Sequence, residues 1–255
     1  MSREKSSKRE IVRRIASPII ATLPFVVALP VMVLAVLAMV LSFAWPARAQ
    51  DAKAPYPSMA PVEQYMMANR DAEIALARSA APESISRDAE VLVLARHGYE
   101  TAVKGKNGFV CVVERGWTAG LDDPNFWNPK LRGPICFNAA AARSYVPRTI
   151  KKTELILSGH TKEQMVEAVT AAIDKNELPA MEPGAMCYML SKQGYLSDTA
   201  GHWHPHLMFF FSQTDPAAWG ADLQGSPILA FNYTWERLTT FLVPVREWSD
   251  GTADR

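Results

Sequence analysis

The chain has only three cysteines, contains no run of basic residues and, after its first fifty residues, no long apolar stretch. Three cysteines are too few for a disulfide-rich scaffold. The lack of a basic patch or a nucleic-acid motif excludes nucleic acid as the expected partner. The lack of a second apolar run predicts that the remainder of the chain is a soluble globular protein. There is also no internal repeat and no low-complexity segment.

The first fifty residues differ from the rest. Residues 1–14 carry six basic side chains, 19–45 are mostly apolar, and Ala47-Arg48-Ala49 follows. A basic start, an apolar middle and small residues before a cleavage point are typical of a secretory signal peptide. We therefore predict cleavage between Ala49 and Gln50 and export to the periplasm or the exterior. The alternative is an uncleaved anchor, in which case this segment is the only contact with a membrane.

Removal of residues 1–49 would leave 206 residues with a net charge of −4, because 20 of the 27 Lys and Arg and 24 of the 26 Asp and Glu lie after Ala49. Residues 50–60 are polar and rich in proline, which predicts a flexible linker. The length of the remainder suits a single domain, which we place at 61–250.

Hydrophobic periodicity predicts an α+β fold, with a largely antiparallel sheet and one or two packed helices. A helix is expected over 61–80, and Thr161 with Gln164 forms a capping box at the start of a second helix. The apolar runs that predict strands are 90–95, 108–114, 154–157, 185–190, 205–211, 227–233 and 239–245. We expect the first two of these strands to pair as a hairpin, and residues 117–137 to form a long loop.

An exported chain meets an oxidising compartment, which favours disulfide formation. Cys111 and Cys136 are the preferred pair because they bracket the expected loop. The odd number of cysteines then leaves Cys187 free or paired with another chain.

Three of the five histidines lie within five residues, at His202, His204 and His206. In an extended chain, alternate side chains point the same way, so all three imidazoles would share one face. Neutral imidazole is a ligand for zinc and for other divalent transition metals. The segment therefore predicts a metal site or small-ligand site. The alternative is a polar turn that leads into a buried strand.

A second candidate site follows the strand at 90–95, in the sequence Arg96-His97-Gly98. A strand that ends in these residues resembles the opening motif of the histidine phosphatases. The resemblance implies that His97 takes up a phosphoryl group and that Arg96 helps to hold the phosphate oxygens. His160, at a helix start, resembles the second histidine of that family. The alternative is an exposed strand end.

Three short stretches resemble, in the same order, a group of exported bacterial proteins with no assigned activity. They are Lys106–Cys111, Pro134–Phe137 and Pro205–Phe209. The resemblance implies an exported bacterial protein of unassigned function. It includes His206 but neither His202 nor His204.

Three hypotheses of function remain open. The first is a binding module that uses His202, His204 and His206. The second is a hydrolase, either metal-assisted through these histidines or phosphatase-like through His97. The third is an envelope interaction protein without a catalytic site, which docks through exposed aromatic residues such as Trp117, Trp127 and Trp219. We favour a protein that is not an enzyme, and the sequence names neither its ligand nor its protein partner.

Overall fold

The computed structural model describes residues 55–254, and an eight-stranded sheet is its largest element. The strands are β1 (Glu90–Ala95), β2 (Gly98–Val103), β3 (Val110–Glu114), β4 (Gly133–Phe137), β5 (Met186–Met189), β6 (His206–Ser212), β7 (Leu229–Tyr233) and β8 (Leu238–Pro244). Their order across the sheet is β2-β1-β3-β4-β5-β6-β8-β7. Only the β1–β3 pairing is parallel, so the predicted α+β fold with a largely antiparallel sheet is confirmed.

The expected hairpin between β1 and β3 is wrong. β1 turns at Arg96 and His97 and pairs antiparallel with β2, while β3 lies parallel to β1 on its other side. Four consecutive residues of β1 are buried, as expected of a strand with neighbours on both edges. β2 is an edge strand with exposed Glu100 and Thr101, so its sequence lacks the kind of apolar run by which most of the other strands were predicted.

Five α-helices accompany the sheet in the described part of the chain. They are α1 (Arg70–Arg78), α2 (Glu83–Ser86), α3 (Ala139–Ser144), α4 (Val146–Leu157) and α5 (Lys162–Asp174). The predicted capping box of α5 is present, with the Thr161 hydroxyl accepting from the Gln164 amide and the Gln164 side chain accepting from the Thr161 amide. The helix expected over 61–80 starts later, at Arg70, where the Asn69 side chain caps it.

Residues 154–157, predicted as a strand, are instead the last turn of α4. The helix was missed because its buried side carries Arg148, Thr149, Lys152 and Thr153, so it has no continuous apolar stripe. Likewise the predicted loop at 117–137 contains β4, which begins with Gly133 and Pro134. Because these two residues are typical of loops, the strand was not predicted, although it is buried along its whole length.

The helices lie on opposite faces of the sheet. On one face α1 packs its Leu76 and Ala77 against side chains of β1, β3 and β4. On the other face α3 and α4 cover a second core, which includes Val112, Ile135 and Phe137. This division follows from the alternation of side chains along each strand.

The predicted disulfide between Cys111 and Cys136 is present. The two residues are directly opposite each other on β3 and β4, on the face that α1 covers. Cys187 is opposite Phe137 on β5, and its side chain is buried in the core on the other face. It is a free thiol, and the sheet lies between it and the disulfide.

A disulfide is compatible with an oxidising, exported location. Within residues 55–254 no helix has both the length and the apolar character needed to cross a membrane. The predicted signal peptide and its cleavage point at Ala49 and Gln50 lie outside the described residues.

Candidate functional site

The three clustered histidines lie at the start of β6, where the chain enters the sheet. His202 and His204 are exposed, and their ring centroids are 6.4 Å apart. His206 is the first residue of β6, is only 8% exposed, and packs edge-on against Trp203. Residues 202–205 are irregular rather than a strand, so the alternation that would bring three imidazoles to one face does not apply.

Each imidazole also has a local partner. His202 Nδ1 is 2.8 Å from the Trp203 carbonyl oxygen, and His206 Nδ1 is 2.7 Å from the His204 carbonyl oxygen. His204 Nδ1 is 2.6 Å from Asp254 Oδ2. Burial lowers the pKa of His206, which favours the neutral form of its ring.

The structure thus brings His202 and His204 together and directs His206 into the sheet. Among residues 55–254, no three His, Cys, Asp or Glu side chains are grouped so that they could hold a metal ion. Zinc binding by this cluster therefore stays a prediction from the sequence.

A cavity of about 510 Å³ opens beside the exposed histidines. It is lined by Lys192, His202, Trp248, Thr252, Ala253 and Asp254. The C-terminal segment forms its wall by folding back on the chain, since the Ser249 amide donates to the Leu190 carbonyl at 2.9 Å and Glu247 bridges to Ala253. Sequence reasoning missed this wall because nothing in the composition of 246–254 indicates that it returns to the residues around 190.

The charges around this cavity are paired. Lys192 Nζ donates to Asp250 Oδ2 at 2.8 Å, and this bond, together with hydrogen bonds from Thr252, lowers the pKa of Asp250. Asp254 is paired in turn with His204. The cavity therefore offers an ammonium, an imidazole, a hydroxyl, a carboxylate and an indole with little net charge. This lining suits a small polar molecule with both donors and acceptors.

The second predicted site lies in the turn between β1 and β2. The Arg96 guanidinium is exposed and donates to Glu63 Oε1 at 2.6 Å, so it is bound to a carboxylate. His160 Nδ1 is 3.1 Å from the Leu155 carbonyl oxygen and 3.0 Å from Ser158 Oγ. His97 faces a smaller cavity of about 360 Å³, lined also by Lys151, Glu154, Leu155, Leu157 and Ser158.

The aromatic residues expected to be exposed differ from one another. Trp117 is fully buried, with its Nε1 donating to Thr153 Oγ1 at 2.9 Å, so the expectation that it docks a partner is wrong. Trp127 is half-buried, and Trp219 is 49% exposed. Trp219 lies against Phe211 of β6 and Phe241 of β8.

The most unusual group lies in the interior between α4 and the sheet and was missed by sequence reasoning. We call Glu114, Lys152 and Glu236 the buried triad. Lys152 Nζ donates to Glu236 Oε1 at 3.1 Å, and the two side chains are 1% and 3% exposed. Glu236 Oε2 is buried as well and has no hydrogen-bond partner among the described residues.

Glu114, at the end of β3, is the third member. Its Oε2 accepts from Thr118 at 3.0 Å and its Oε1 accepts from Thr149 at 3.0 Å. Burial raises the pKa of this carboxyl group, and the charge of Lys152 only partly opposes that effect. A charged residue directly after the apolar run of β3 was the one signal in the sequence that pointed to it.

The turn that carries Glu236 is fixed to α5 and to α4. The Thr170 hydroxyl donates to the Trp235 carbonyl at 3.1 Å, and Arg237 forms an ion pair with Asp174. Arg148, which is 2% exposed, donates to the Glu236 carbonyl at 2.5 Å. The carboxyl group of Glu236 is therefore held in place by its backbone as well as by Lys152.

No family model, no curated protein and no solved structure matches this chain.

Proposed function

We propose that this protein is an exported module that binds a small polar molecule in the cavity beside His202. The observation that carries the proposal is the 510 Å³ cavity. His202 lies in its wall, and Asp254, also in the wall, is paired with His204. Its volume falls within the usual range of ligand sites, about 300–1,000 Å³. Export is supported by the disulfide between Cys111 and Cys136.

The lining indicates the class of ligand. Lys192 can donate to a carboxylate or a hydroxyl group. His202 donates from Nδ1 to the Trp203 carbonyl, so its Nε2 can accept from a hydroxyl group, and Asp254 can accept from a hydroxyl or an ammonium group. Trp248 supplies an apolar surface against which a ring or an alkyl chain packs. Because the fixed charges are paired, we expect a neutral or zwitterionic molecule of the size of a monosaccharide or an amino acid.

The test is a binding screen on the exported protein with monosaccharides, amino acids, small carboxylates, zinc, copper and nickel. Thermal unfolding reports binding because a ligand that prefers the native state raises the melting temperature. We expect an organic ligand to bind, and both His202→Ala and Asp254→Asn to weaken it by about tenfold or more.

His97→Ala is the matched control, since His97 faces the other cavity. Unchanged affinity in both cavity variants would overturn the proposal. Binding of zinc, copper or nickel alone, lost in His202→Ala and His204→Ala, would replace it with the metal-site hypothesis.

A second candidate function is hydrolysis at His97. The supporting observation is that His97 lines a cavity together with Lys151, Glu154 and Ser158, which are a cation, a possible acid or base and a hydroxyl. Turnover of a generic phosphomonoester, abolished in His97→Ala and retained in His202→Ala, would support it. The engagement of Arg96 by Glu63 leaves Lys151 as the cation for the phosphate group.

A further inference from the structure

The buried triad has a chemistry that neither cavity uses. Lys152 Nζ is 3.1 Å from Glu236 Oε1. The distance from Nζ to the carboxyl carbon therefore exceeds this value by no more than the length of one carbon–oxygen bond. Both side chains are held in this arrangement by packing, with exposures of 1% and 3%. Reactive groups kept at this separation behave as if they were present at very high concentration.

An ion pair in this position is a costly arrangement. Two charges are removed from water, and Glu236 Oε2 lacks a hydrogen bond from any described residue. Desolvation of a buried pair can exceed its Coulombic attraction unless the remaining polar atoms are satisfied. An amide between the two side chains would eliminate both charges and one of the two carboxyl oxygens.

The surroundings favour such a condensation. The centroids of the Tyr145 and Trp235 rings lie 5.9 and 5.7 Å from Lys152 Nζ, so the amine has aromatic carbon near it as well as the Glu236 carboxylate. In a low-dielectric site a lysine–glutamate pair can exchange its proton and become a neutral amine and a neutral acid. The charges of Lys152 and Glu236 act on the Glu114 carboxyl group, to which Thr149, three residues before Lys152 on α4, donates at 3.0 Å. Burial raises the pKa of Glu114, so this group retains a proton to higher pH than an exposed carboxyl.

We propose that Lys152 and Glu236 form an intramolecular isopeptide bond and that Glu114 transfers the protons. The ammonium group gives one proton to the carboxylate, and the neutral amine attacks the carboxyl carbon. Glu114 protonates the leaving hydroxyl and then takes the second proton from nitrogen. A carbon–nitrogen bond forms, a carbon–oxygen bond breaks and one water leaves, with no oxidant, reductant or other reactant required.

The bond would join α4 to the turn between β7 and β8 across 84 residues of sequence. The disulfide joins β3 to β4 on the opposite face. The two faces of the sheet would then each carry a covalent link. This inference is independent of the ligand proposed for the cavity beside His202.

The test is mass spectrometry of the exported protein, reduced, denatured and digested with trypsin. We expect a branched peptide that contains Lys152 and Glu236 and is about 18 Da lighter than the sum of its two parts. Trypsin would not cleave after Lys152, because acylation removes the charge that the protease recognises. Linear peptides with a free Lys152 and an unmodified Glu236 throughout the sample would overturn the proposal.

Three variants assign the roles. Lys152→Arg and Glu114→Gln should both yield linear peptides of full mass, the first for lack of a nucleophile and the second for lack of a proton carrier. Lys151→Arg changes the neighbouring lysine and should retain the branched peptide. A branched peptide in Glu114→Gln would exclude Glu114 from the reaction. If any variant fails to fold, the digest of the unaltered protein still decides whether the bond exists.

Discussion

Two ion pairs are buried among residues 55–254, and they differ in how completely their polar atoms are bonded. Arg115 is fully buried, donating from Nη2 to Glu73 Oε1 at 2.9 Å and from Nε to the Tyr65 carbonyl at 2.8 Å. Its Nη1 donates to the Val113 carbonyl. Lys152 and Glu236 are buried to a similar degree, yet one oxygen of Glu236 has no partner among residues 55–254.

This difference in hydrogen bonding indicates that the two pairs have different roles. The Arg115 pair joins α1, β3 and the chain at Tyr65, and every nitrogen of its guanidinium group has an acceptor. A guanidinium group keeps its proton, so this pair is inert. The Lys152 pair combines an amine with a carboxyl group that is incompletely hydrogen-bonded, and Glu114 is a second buried carboxyl group. The first pair stabilises the fold, and the second is the place to look for a reaction.

The largest effect we expect is from Arg115→Met. The change leaves Glu73 as a buried charge and removes the donors to the Tyr65 and Val113 carbonyls, which should cost about 3–5 kcal/mol of unfolding free energy. With the pair kept unlinked by Glu114→Gln, Lys152→Met should cost less, because it removes the donor to one described acceptor rather than three. Urea unfolding measures both.

Arg96→Met is the control, since Arg96 forms an exposed ion pair with Glu63 and should change stability by less than about 1 kcal/mol. If the Arg115 and Lys152 variants lose equal stability, the contrast between the two pairs is wrong.

The next effect concerns the covalent link near the Arg115 pair. Replacing both Cys111 and Cys136 by Ala opens a loop of 25 residues and should cost about 3 kcal/mol. Dithiothreitol should destabilise the unaltered protein and leave the double variant unaffected. Equal sensitivity of both proteins to the reductant would mean that the pairing is not Cys111 with Cys136.

A pH effect should distinguish the buried triad from the Arg115 pair. The folded-state pKa of Glu114 is above its ordinary value of 4.5 because the group is buried. The native state therefore binds this proton more tightly than the unfolded chain does. The resulting stabilisation is complete below about pH 4.5 and is lost as the pH rises through the folded-state pKa.

Glu114→Gln should remove this dependence, so the stability of the unaltered protein relative to the variant should fall as the pH is raised from about 4 to 8. The measurement is urea unfolding of both proteins across that range. Parallel curves would show that Glu114 titrates as an exposed carboxyl.

The smallest effect on stability is expected from the exposed hydrogen-bond network around Asp198. Asp198 accepts from Lys130 Nζ at 3.0 Å and from the Tyr56 and Tyr195 hydroxyl groups. These bonds, that from Tyr195 foremost, lower the pKa of Asp198 to about 2. The stabilisation they give is present above the ordinary value of 3.8 and is lost as the pH falls through about 2.

Tyr195→Phe should move the carboxyl titration of Asp198 upward, toward 3.8, with only a small lowering of the urea midpoint at neutral pH. Carbon-detected NMR of the side-chain carboxyl follows the titration. A large loss of stability would show that exposure does not weaken this network, and would remove the contrast with the buried pairs.

Local patterns were sufficient for several elements. The capping box at Thr161 and Gln164 marks the start of α5 within one residue, because the bonds that form it are made between neighbours in the sequence. Strands such as β1 and β6 are apolar runs and were predicted with nearly correct bounds. The α+β class and the Cys111–Cys136 pairing follow from information of the same kind.

Two of the failures involve polar residues within regular elements. β2 is polar because it lies at an edge, and α4 was missed because its buried side carries charged and hydroxyl groups. From sequence alone, a polar residue is expected to be exposed. That a particular polar residue is buried becomes visible only when its partner in the folded structure is known. The buried triad was missed for this reason, since Lys152 and Glu236 become neighbours across 84 residues.

The sequence by itself thus determined the class of the fold, the helix α5, most of the strands and the disulfide, because each depends on local spacing or on composition. Tertiary structure decided the rest. It directed His206 into the sheet while His202 and His204 remained exposed, formed a cavity wall from 246–254, and buried Lys152 against Glu236. The physical reason is that charge pairing and burial depend on distances in space, and distant parts of a chain set those distances only when it folds.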